Sequence, residues 1–292
     1  MSAPATPWSP AAASSAPVPP AAPASGPPAL IIEQLFKRYD KQPAVEGLTL
    51  DVRQGEVFGL IGPNGAGKTT TLKILVGLLK PDYGRVVVDG HDILRDPYDY
   101  KASIGYLPEA STLPDYLTGE EFLSFVGRLR EMPPDALRAR ITDLFRKLDL
   151  EPKRKELIVT YSKGMRQKIA FAASVIHGPR LLILDEPLIG VDPAGQYEIK
   201  EEARDVTRRG GSVIVSTHML DTAEKLCDRL GVMHHGRLAA VGTLEDLRGA
   251  AQTGSHATLE EVFLRLTEEA SLPPPPEPPR RRGFGFGLGG RR

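Results

Sequence analysis

The sequence predicts an α/β fold, and two features of the residue order support that prediction. Short apolar runs typical of buried strands, such as Val57–Ile61 and residues 181–184, alternate with stretches of helical periodicity. Continuous apolar strands are typical of sheets that helices cover on both faces. In addition, a glycine-rich segment at 62–67 lies between the first of these strands and a predicted helix.

The elements follow one another from residue 30 onward. Apolar alternation, turn residues and helical periodicity set their expected boundaries. The predicted strands cover residues 30–32, 48–52, 57–61, 85–88, 104–107, 181–184 and 212–216, with two more between 229 and 241. The predicted helices cover residues 70–79, 134–148, 162–177 and 193–209, and a further helix begins at Thr118, where Glu121 completes a capping box.

The chain divides into a central globular region and two low-complexity ends. Residues 1–28 are almost all Pro, Ala and Ser, which cannot bury a core, so they predict a disordered arm. Residues 271–292 predict a disordered tail rich in Pro, Gly and Arg, and a solvated tail is favoured over a basic contact with anionic lipid or RNA. Between them we expect a main domain at 29–245, with a helical insertion at about 95–178, and a helical extension at 246–270.

Composition limits the classes of protein to which the chain can belong. It has 37 Lys and Arg residues and 37 Asp and Glu residues, so no net charge attracts it to nucleic acid or to an acidic membrane. Its single cysteine, Cys227, excludes an internal disulfide and suits a reducing compartment. No apolar run reaches the roughly 18–20 residues that span a bilayer, and the proline-rich start is unlike a secretory signal. We therefore expect a soluble cytoplasmic protein, and any membrane-spanning part must be another chain.

The segment after the strand Val57–Ile61 carries the first motif of the chain that indicates a chemistry. Residues 62–69 match G-x-x-x-x-G-K-[ST] between a strand and a helix, which is the context that the motif requires. The glycines allow backbone N–H groups to turn toward an anion, and the helix N-terminus favours negative charge at the same place. Lys68 can reach terminal phosphates, and the Thr69 hydroxyl can bind Mg²⁺. The predicted ligand is a nucleoside triphosphate, most simply ATP, and the predicted binding residues are Gly62, Asn64, Gly65, Ala66, Gly67, Lys68, Thr69 and Thr70.

Two further strand ends supply candidates for ATP hydrolysis. Asp185 and Glu186 follow the apolar run 181–184, at a position that lies beside the phosphate loop in such folds. Asp185 would hold Mg²⁺, and Glu186 would orient and deprotonate the attacking water. His218 follows the next strand, which we expect to be a neighbour in the sheet. A lone His at a strand end is more often structural, but its place beside Asp185 assigns it to the γ-phosphate and the attacking water.

In their order, these motifs resemble those of the ATP-binding cassette ATPases of ABC transporters. The resemblance covers nearly all of residues 29–265 and rests on six successive motifs. It implies a P-loop NTPase core, in which helices flank a mixed sheet, with an antiparallel β subdomain and an inserted α-helical subdomain. It also implies that Tyr39 stacks on adenine, that Glu109 in the Q-loop contributes to the Mg²⁺ site, and that Asp192 in the D-loop contacts the nucleotide.

The signature segment of this family corresponds to residues 161–167. By the resemblance, Ser162 and Gly164 meet the nucleotide bound to a second copy. The segment begins Tyr-Ser-Lys-Gly-Met in place of Leu-Ser-Gly-Gly-Gln, so Lys163 adds a positive charge near the phosphates of the partner. Glu109 stands where the Q-loop has Gln, which adds a negative charge there. Both departures leave Ser162 and Gly164 unchanged.

The resemblance implies a subunit that binds and hydrolyses ATP, with Mg²⁺, and drives a separate transmembrane permease. It would pair with a second copy or with a second ABC ATPase, and it would lie at the inner face of the cell membrane through the permease. The form of the signature and the late run 259–264 resemble the subfamily of exporters with a separately encoded permease. No nucleic acid is expected as a partner.

Two other hypotheses remain open at this point. A soluble ABC-type ATPase could act on ribosomes or nucleic acid, but such proteins usually carry two cassettes or a long coiled coil, and this sequence shows one cassette and no such coil. A nucleotide-gated binding module with little turnover would fit the altered signature. The presence of both Glu186 and His218 argues against that module.

Overall fold

The strands form two separate sheets in a computed structural model, which describes residues 27–40 and 42–271. The strands are β1 (Leu30–Tyr39), β2 (Gln42–Val52), β3 (Val57–Ile61), β4 (Tyr83–Val88), β5 (His91–Asp92), β6 (Ile104–Leu107), β7 (Leu181–Asp185), β8 (Ser212–Thr217), β9 (Arg229–His234) and β10 (Arg237–Gly242). The helices are α1 (Lys68–Leu75), α2 (Asp99–Ser103), α3 (Gly119–Leu129), α4 (Pro134–Lys147), α5 (Lys163–Val175), α6 (Pro193–Arg208), α7 (Leu220–Leu226), α8 (Leu244–Ala250) and α9 (Leu259–Ser271).

The two sheets differ in the direction of their strands. The smaller sheet has the order β2-β1-β4-β5, and all its pairs are antiparallel. The larger sheet has the order β10-β9-β3-β8-β7-β6, in which only the β10–β9 pair is antiparallel among the described strands. A mixed, mostly parallel sheet with an antiparallel β subdomain is the predicted fold class, which is therefore confirmed.

The parallel strands bury both of their faces, which explains their continuous apolar sequences. Successive side chains of a strand point to opposite faces. Leu182 and Leu184 of β7 pack in the core cluster that contains α4, α5 and α6 residues. Leu181 and Ile183 pack on the opposite face, in the cluster that contains α1 and the smaller sheet. A third cluster joins α7, α8 and α9 to β9.

A helical block made of α3 and α4 lies between the strands β6 and β7 in sequence. The predicted capping box at its start is confirmed, because Glu121 N donates to Thr118 Oγ1 (3.2 Å) and Thr118 N donates to Glu121 Oε2 (2.8 Å). The predicted insertion, 95–178, also contains β6, which pairs with β7 in the larger sheet. This strand is the one predicted at residues 104–107, and the helices α3 and α4 follow it.

Buried charges connect this helical block to the rest of the chain. The guanidinium of Arg140 on α4 lies 2.5 Å from the carboxylate of Glu202 on α6, and both side chains are almost fully buried. Lys147, also on α4, lies 2.9 Å from the same carboxylate. Loss of one partner from a buried ion pair typically costs about 3–5 kcal/mol, since a charge is left without compensation. The cluster therefore fixes α4 against α6.

Some boundaries differ from the sequence prediction. The helix expected at 70–79 is α1, Lys68–Leu75. It begins earlier because Gly67 (φ 103°) ends the preceding loop, and it ends earlier because the chain turns at Gly77 (φ 72°). The expected extension at 246–270 consists of α8 and α9, the first of which begins at Leu244.

The predicted arm and tail lie almost wholly outside the described residues. Only residues 27 and 28 of the arm and residue 271 of the tail belong to the described part. Within that part, none of the helices combines the length and the apolar character that a membrane crossing requires.

The largely buried His177, just after α5, makes the folding stability depend on pH. Its Nε2 lies 2.9 Å from the carbonyl oxygen of Ile104, so Nε2 carries the proton, and Nδ1 is buried without a hydrogen-bond partner among the described residues. Burial, and then the charge of Arg130, lower the pKa of His177 from 6.5 to about 4. The unfolded chain therefore takes up this proton first, and the contribution to stability is complete above about pH 6.5 and lost toward pH 4.

We predict that the substitution His177→Gln reduces this pH dependence. The Gln amide can still donate to Ile104 but does not titrate. Between about pH 7 and about pH 4.5, the free energy of unfolding should fall by about 2.5 kcal/mol less in the variant than in the wild type. Urea unfolding at both pH values measures the difference. The control is His256→Gln, at an exposed position; equal pH dependence in the wild type and His177→Gln would contradict the prediction.

Candidate active site

The loop at 62–67, here called the phosphate loop, is packed between two strands. A Cβ atom at Gly67 would lie 2.3 Å from the carbonyl oxygen of Ala44 in β2. A Cβ atom at Gly62 would lie 2.4 Å from the carbonyl oxygen of Met233 in β9. Only glycine fits at these two positions, and Gly67 in addition has a left-handed backbone, with φ 103°.

The turn between β9 and β10 is hydrogen-bonded to one side of the phosphate loop. Gly236 N donates to Ala66 O at 3.0 Å, and Gly236 O accepts from Glu46 N at 2.7 Å. Asn64 and Gly65 are exposed at the tip of the loop, and Thr70 is half-buried in α1. Helix α1 has no side-chain cap, so its first backbone N–H groups have no side-chain acceptor. Such groups bind anions at helix N-termini.

Lys68 turns back onto the phosphate loop in this structure. Its ammonium donates to the carbonyl oxygens of Gly62 at 2.6 Å and Pro63 at 3.2 Å. Burial lowers the pKa of Lys68, and the nearby carboxylates of Glu186, Asp185 and Glu109, in that order, act to raise it. The ammonium therefore lies within the electrostatic reach of all three predicted carboxylates.

Asp185 ends β7 directly beside α1. Its Oδ1 accepts from the Thr69 hydroxyl at 3.2 Å and from the Ser216 hydroxyl, which belongs to the neighbouring strand β8. Its Oδ2 is buried and has no hydrogen-bond partner among the described residues. A buried carboxylate oxygen without a donor is costly, so this atom is the one in the site that a cation would satisfy.

The oxygen donors at this position fit Mg²⁺. The described residues contain no cluster of three or more His, Cys, Asp or Glu side chains that could form an all-protein metal site. Mg²⁺ in nucleotide sites is instead held by one or two protein oxygens together with substrate phosphates. Thr69 and the free oxygen of Asp185 match this pattern. Glu109 follows β6 and is exposed.

Glu186 and His218 form a hydrogen-bonded pair. The Nδ1 atom of His218 lies 2.8 Å from Glu186 Oε1, and the His218 backbone N–H donates to the same oxygen at 3.0 Å. The Thr217 hydroxyl donates to Glu186 Oε2 at 3.2 Å. Glu186 is buried, whereas the His218 side chain is 48% exposed. Because Oε1 accepts two hydrogen bonds and Oε2 only one, Oε2 keeps one lone pair for a further donor.

Two residues of this site were missed in the sequence prediction. Ser216 donates to Asp185, and Thr217 donates to Glu186. A usable signal was present, because both hydroxyl residues immediately precede His218 at the end of a strand expected beside β7. Hydroxyl side chains at adjacent strand ends are natural donors to carboxylates there.

Tyr39 and Glu109 lie on different elements from the carboxylate pair. Tyr39 ends β1 in the smaller sheet, and it is about half exposed. Glu109 is placed by β6, the neighbour of β7. Burial first, and then the charges of Asp185 and Glu109, raise the pKa of Tyr106 to about 12. The roles of Tyr39 and Glu109 remain predictions.

Ser162, Gly164 and Asp192 form a second predicted nucleotide surface where α5 and α6 begin, since a Cβ atom at Gly164 would lie 4.0 Å from Asp192 Oδ1. Ser162 caps α5 by accepting from Met165 N at 3.2 Å, and Asp192 caps α6. Ser162 and Asp192 are exposed. In the part of the chain that the structure describes, no hydrogen bond joins these three residues to residues 62–70. Contact of these three residues with a nucleotide remains a prediction.

Comparison with known proteins decides the family. The family model described as ABC transporter matches residues 45–189. The daunorubicin resistance ATP-binding protein DrrA3 of Streptomyces coeruleorubidus is 39% identical over 226 residues, which are 77% of this chain and 71% of that protein. This chain belongs to the ABC transporter ATP-binding proteins. It is accordingly an ABC ATPase.

Other ABC proteins resemble this ABC ATPase along similar lengths. The Nod factor export ATP-binding protein I of Ralstonia nicotianae is 38% identical over 220 residues, which are 75% of this chain and 68% of that protein. A solved structure of the ATP binding subunit of an ABC transporter has a TM-score of 0.77 and 34% identity, and the match covers 82% of this chain and 99% of that one. The similarity to this structure agrees with the fold described above.

The packing of the phosphate loop of this ABC ATPase leads to a prediction that separates backbone strain from steric contact. Gly65 (φ 82°) and Gly67 (φ 103°) both have positive φ, but a Cβ at Gly65 would meet nothing within 4 Å. Gly65→Ala should therefore cost about 1–2 kcal/mol from backbone strain alone. Gly67→Ala should cost about 1–3 kcal/mol more, because its Cβ meets the carbonyl of Ala44. Urea unfolding measures both, and equal costs would contradict the packing argument.

Proposed function

We propose that this ABC ATPase is the energy-supplying subunit of an exporter. It closes with a second copy, or with a second ABC ATPase, around ATP and drives a separate transmembrane permease. The observation that carries the proposal is the meeting of four predicted site residues at one edge of the larger sheet. There Thr69 lies 3.2 Å from Asp185, and His218 lies 2.8 Å from Glu186.

The phosphate loop and the start of α1 would bind the triphosphate of ATP. Lys68 would exchange its bonds to Gly62 and Pro63 for bonds to phosphate oxygens, and Tyr39 would stack on adenine. Thr69 and Asp185, with Glu109 nearby, would hold Mg²⁺. When bound, this ion would neutralise charge on the phosphate oxygens.

Glu186 and His218 would carry out the hydrolytic step. A water attacks the γ-phosphorus, Glu186 Oε2 takes its proton, and the bond from the γ-phosphorus to the bridging oxygen of ADP breaks. The free lone pair on Oε2 suits this role, since Glu186 can keep its bonds to His218 meanwhile. The exposed part of His218 would contact the γ-phosphate.

Pairing of two copies would complete each ATP site. Ser162, Gly164 and Asp192 would meet the nucleotide of the partner; among the described residues they have no hydrogen bond to the phosphate loop of their own copy. ATP would then bind between two protein surfaces, and hydrolysis would release them. Binding that favours a closed pair is a population shift, with hydrolysis as the reset.

The partner in the membrane and the direction of transport rest on similarity. The relatives named above are a drug-resistance protein and an export protein. We place this chain at the cytoplasmic face of the cell membrane, bound to a permease, with no nucleic acid as partner. Isolation of the chain from detergent-solubilised membranes distinguishes the candidates: a polytopic membrane protein supports the permease, whereas ribosomes or nucleic acid support a soluble ABC-type ATPase.

We predict that Glu186→Gln separates ATP binding from ATP hydrolysis. The amide cannot accept a proton from water, so turnover should fall by at least about 100-fold, while ATP affinity is retained. With ATP, the variant should elute from gel filtration as a closed pair. The control is Glu245→Gln at an exposed position. Steady-state hydrolysis at the wild-type rate in Glu186→Gln would refute the assignment.

We also predict that Asp185→Asn removes the effect of Mg²⁺ on ATP affinity. The substitution takes the charge from the buried oxygen that lacks a donor. Calorimetric titration with ATP, with and without Mg²⁺, measures how much the metal raises the ATP affinity. We expect this increase to be about tenfold smaller in the variant than in the wild type. The surface variant Asp135→Asn is the control, since that side chain is 92% exposed. An unchanged effect of Mg²⁺ on the ATP affinity of Asp185→Asn would show that the ion binds elsewhere.

A further inference from the structure

One helix connects the second nucleotide surface to the residue after Glu186. Helix α5 begins just after Ser162, and Gln167 lies on it about one turn from Gly164. The side-chain amide of Gln167 donates to the carbonyl oxygen of Pro187 at 3.1 Å, in a buried position. Pro187 directly follows Glu186 in the chain. Helix α5 thus links Ser162 and Gly164 to the Pro187–Leu188 peptide, one residue beyond Glu186 of the same copy.

The backbone conformation of Glu186 depends on contacts from other elements of the fold. Glu186 has φ 48°, a left-handed conformation that is sterically unfavourable for an L-residue. Glu186 N donates to Ser216 O at 3.0 Å, which holds the residue on the side of β8. The bond from Gln167 to the carbonyl oxygen of Pro187 holds the Pro187–Leu188 peptide on the side of α5. The carboxylate position is therefore set from two directions.

The first turn of α5 also contacts loop 187–192. A Cβ at Gly190 would lie 2.6 Å from Lys163 Cε, so the Lys163 stem lies directly over the Gly190 backbone. A Cβ at Gly164 would lie 3.4 Å from the carbonyl oxygen of Gly190. Movement of the start of α5 must therefore displace loop 187–192 or break these contacts. We call these contacts, with the Gln167–Pro187 bond, the α5–loop link.

We infer that Gln167 is a positioning residue, which transmits engagement of the start of α5 to Glu186 of the same copy. This inference rests on the proposed function, since the ligand that engages Ser162 and Gly164 is the nucleotide of the partner. Gln167 is buried and its amide is bonded to Pro187, so its role does not require contact with either nucleotide. Its amide fixes the carbonyl of Pro187, the residue after the base, so each copy aligns its own Glu186 when the start of its α5 engages the other copy's ATP. The two ATP sites of a pair are thereby coupled.

The test compares two Gln residues that make the same kind of bond to the same loop. Gln167→Met removes the bond to Pro187, and Gln196→Met removes a bond of 3.0 Å from Gln196 to the carbonyl of Val191. ATP binding, pairing in the presence of ATP, and the rate of hydrolysis of bound ATP in a single turnover are measured on the full chain. We expect Gln167→Met to slow the single turnover at least about tenfold, with ATP affinity and pairing changed less than about twofold. Gln196→Met should match the wild type.

A second variant keeps the test decisive if Gln167→Met folds poorly. Gln167→Glu puts a carboxylate opposite the Pro187 carbonyl at high pH, whereas the protonated acid can donate to it at lower pH. The single-turnover rate per bound ATP, divided by that of the wild type, should therefore rise as the pH falls. A role in folding alone would change the fraction that binds ATP and leave this ratio constant.

The outcomes separate this inference from the proposed function. Wild-type single-turnover rates in Gln167→Met, an equal loss in Gln196→Met, or a ratio for Gln167→Glu that does not change with pH each overturn the inference. In those cases the wild type still hydrolyses ATP, and the proposed function stands. A wild type that neither binds ATP nor hydrolyses it overturns both.

Discussion

The parallel register of β3, β8 and β7 is the constraint on which the site depends. Ile61 pairs with Thr217, and Asp185 pairs with Ser216, so the three strands end at nearly the same level. The phosphate loop and His218 follow two of these ends, and Glu186 follows the third. Because side chains alternate along a strand, a shift of β7 by one residue would turn Asp185 away from Thr69. The juxtaposition of the site residues is thus a consequence of strand pairing, and the two apolar faces of the sheet enforce that pairing.

The electrostatics of the site follow from the same arrangement. Asp185 and Glu186 are buried carboxylates, and their hydrogen-bond donors come mainly from the neighbouring strand β8 and the residue after it. The buried ammonium of Lys68 is bonded to carbonyl oxygens of its own loop. Two buried carboxylates beside one ammonium leave an excess of negative charge, which burial makes costly. A triphosphate alone would add to that excess, and a triphosphate that brings a divalent cation would add less. The charge balance therefore favours the metal complex of the nucleotide as ligand.

Local sequence patterns predicted much of the fold and of the site. The features that they did not predict depend on tertiary contacts. The capping box at Thr118 was predictable because its bonds join residues three apart, and the phosphate loop because a fixed spacing encodes it. The end of α1 was not, since the turn at Gly77 stops a helix whose apolar periodicity continues to residue 79. The position of β6 in the sheet depends on its pairing with β7. Short-range sequence patterns do not encode that pairing. The bond from Gln167 to Pro187 spans 20 residues and has no signature in sequence at all.

The energies at Glu186 are of a size that makes coupling between the two surfaces physically reasonable. A left-handed Glu costs about 1–2 kcal/mol, and a buried hydrogen bond such as that to Pro187 contributes about 0.5–1.5 kcal/mol. The two quantities are of similar size, so loss of this bond on displacement of α5 would change the population of backbone conformations at Glu186 by up to about tenfold. A stronger bond would hold Glu186 in place whether or not the partner carried ATP, and a weaker bond would leave Glu186 misaligned. In the proposed pair, a base held by a bond of this strength would respond to the arrival of the second surface without any change in the sheet that carries it.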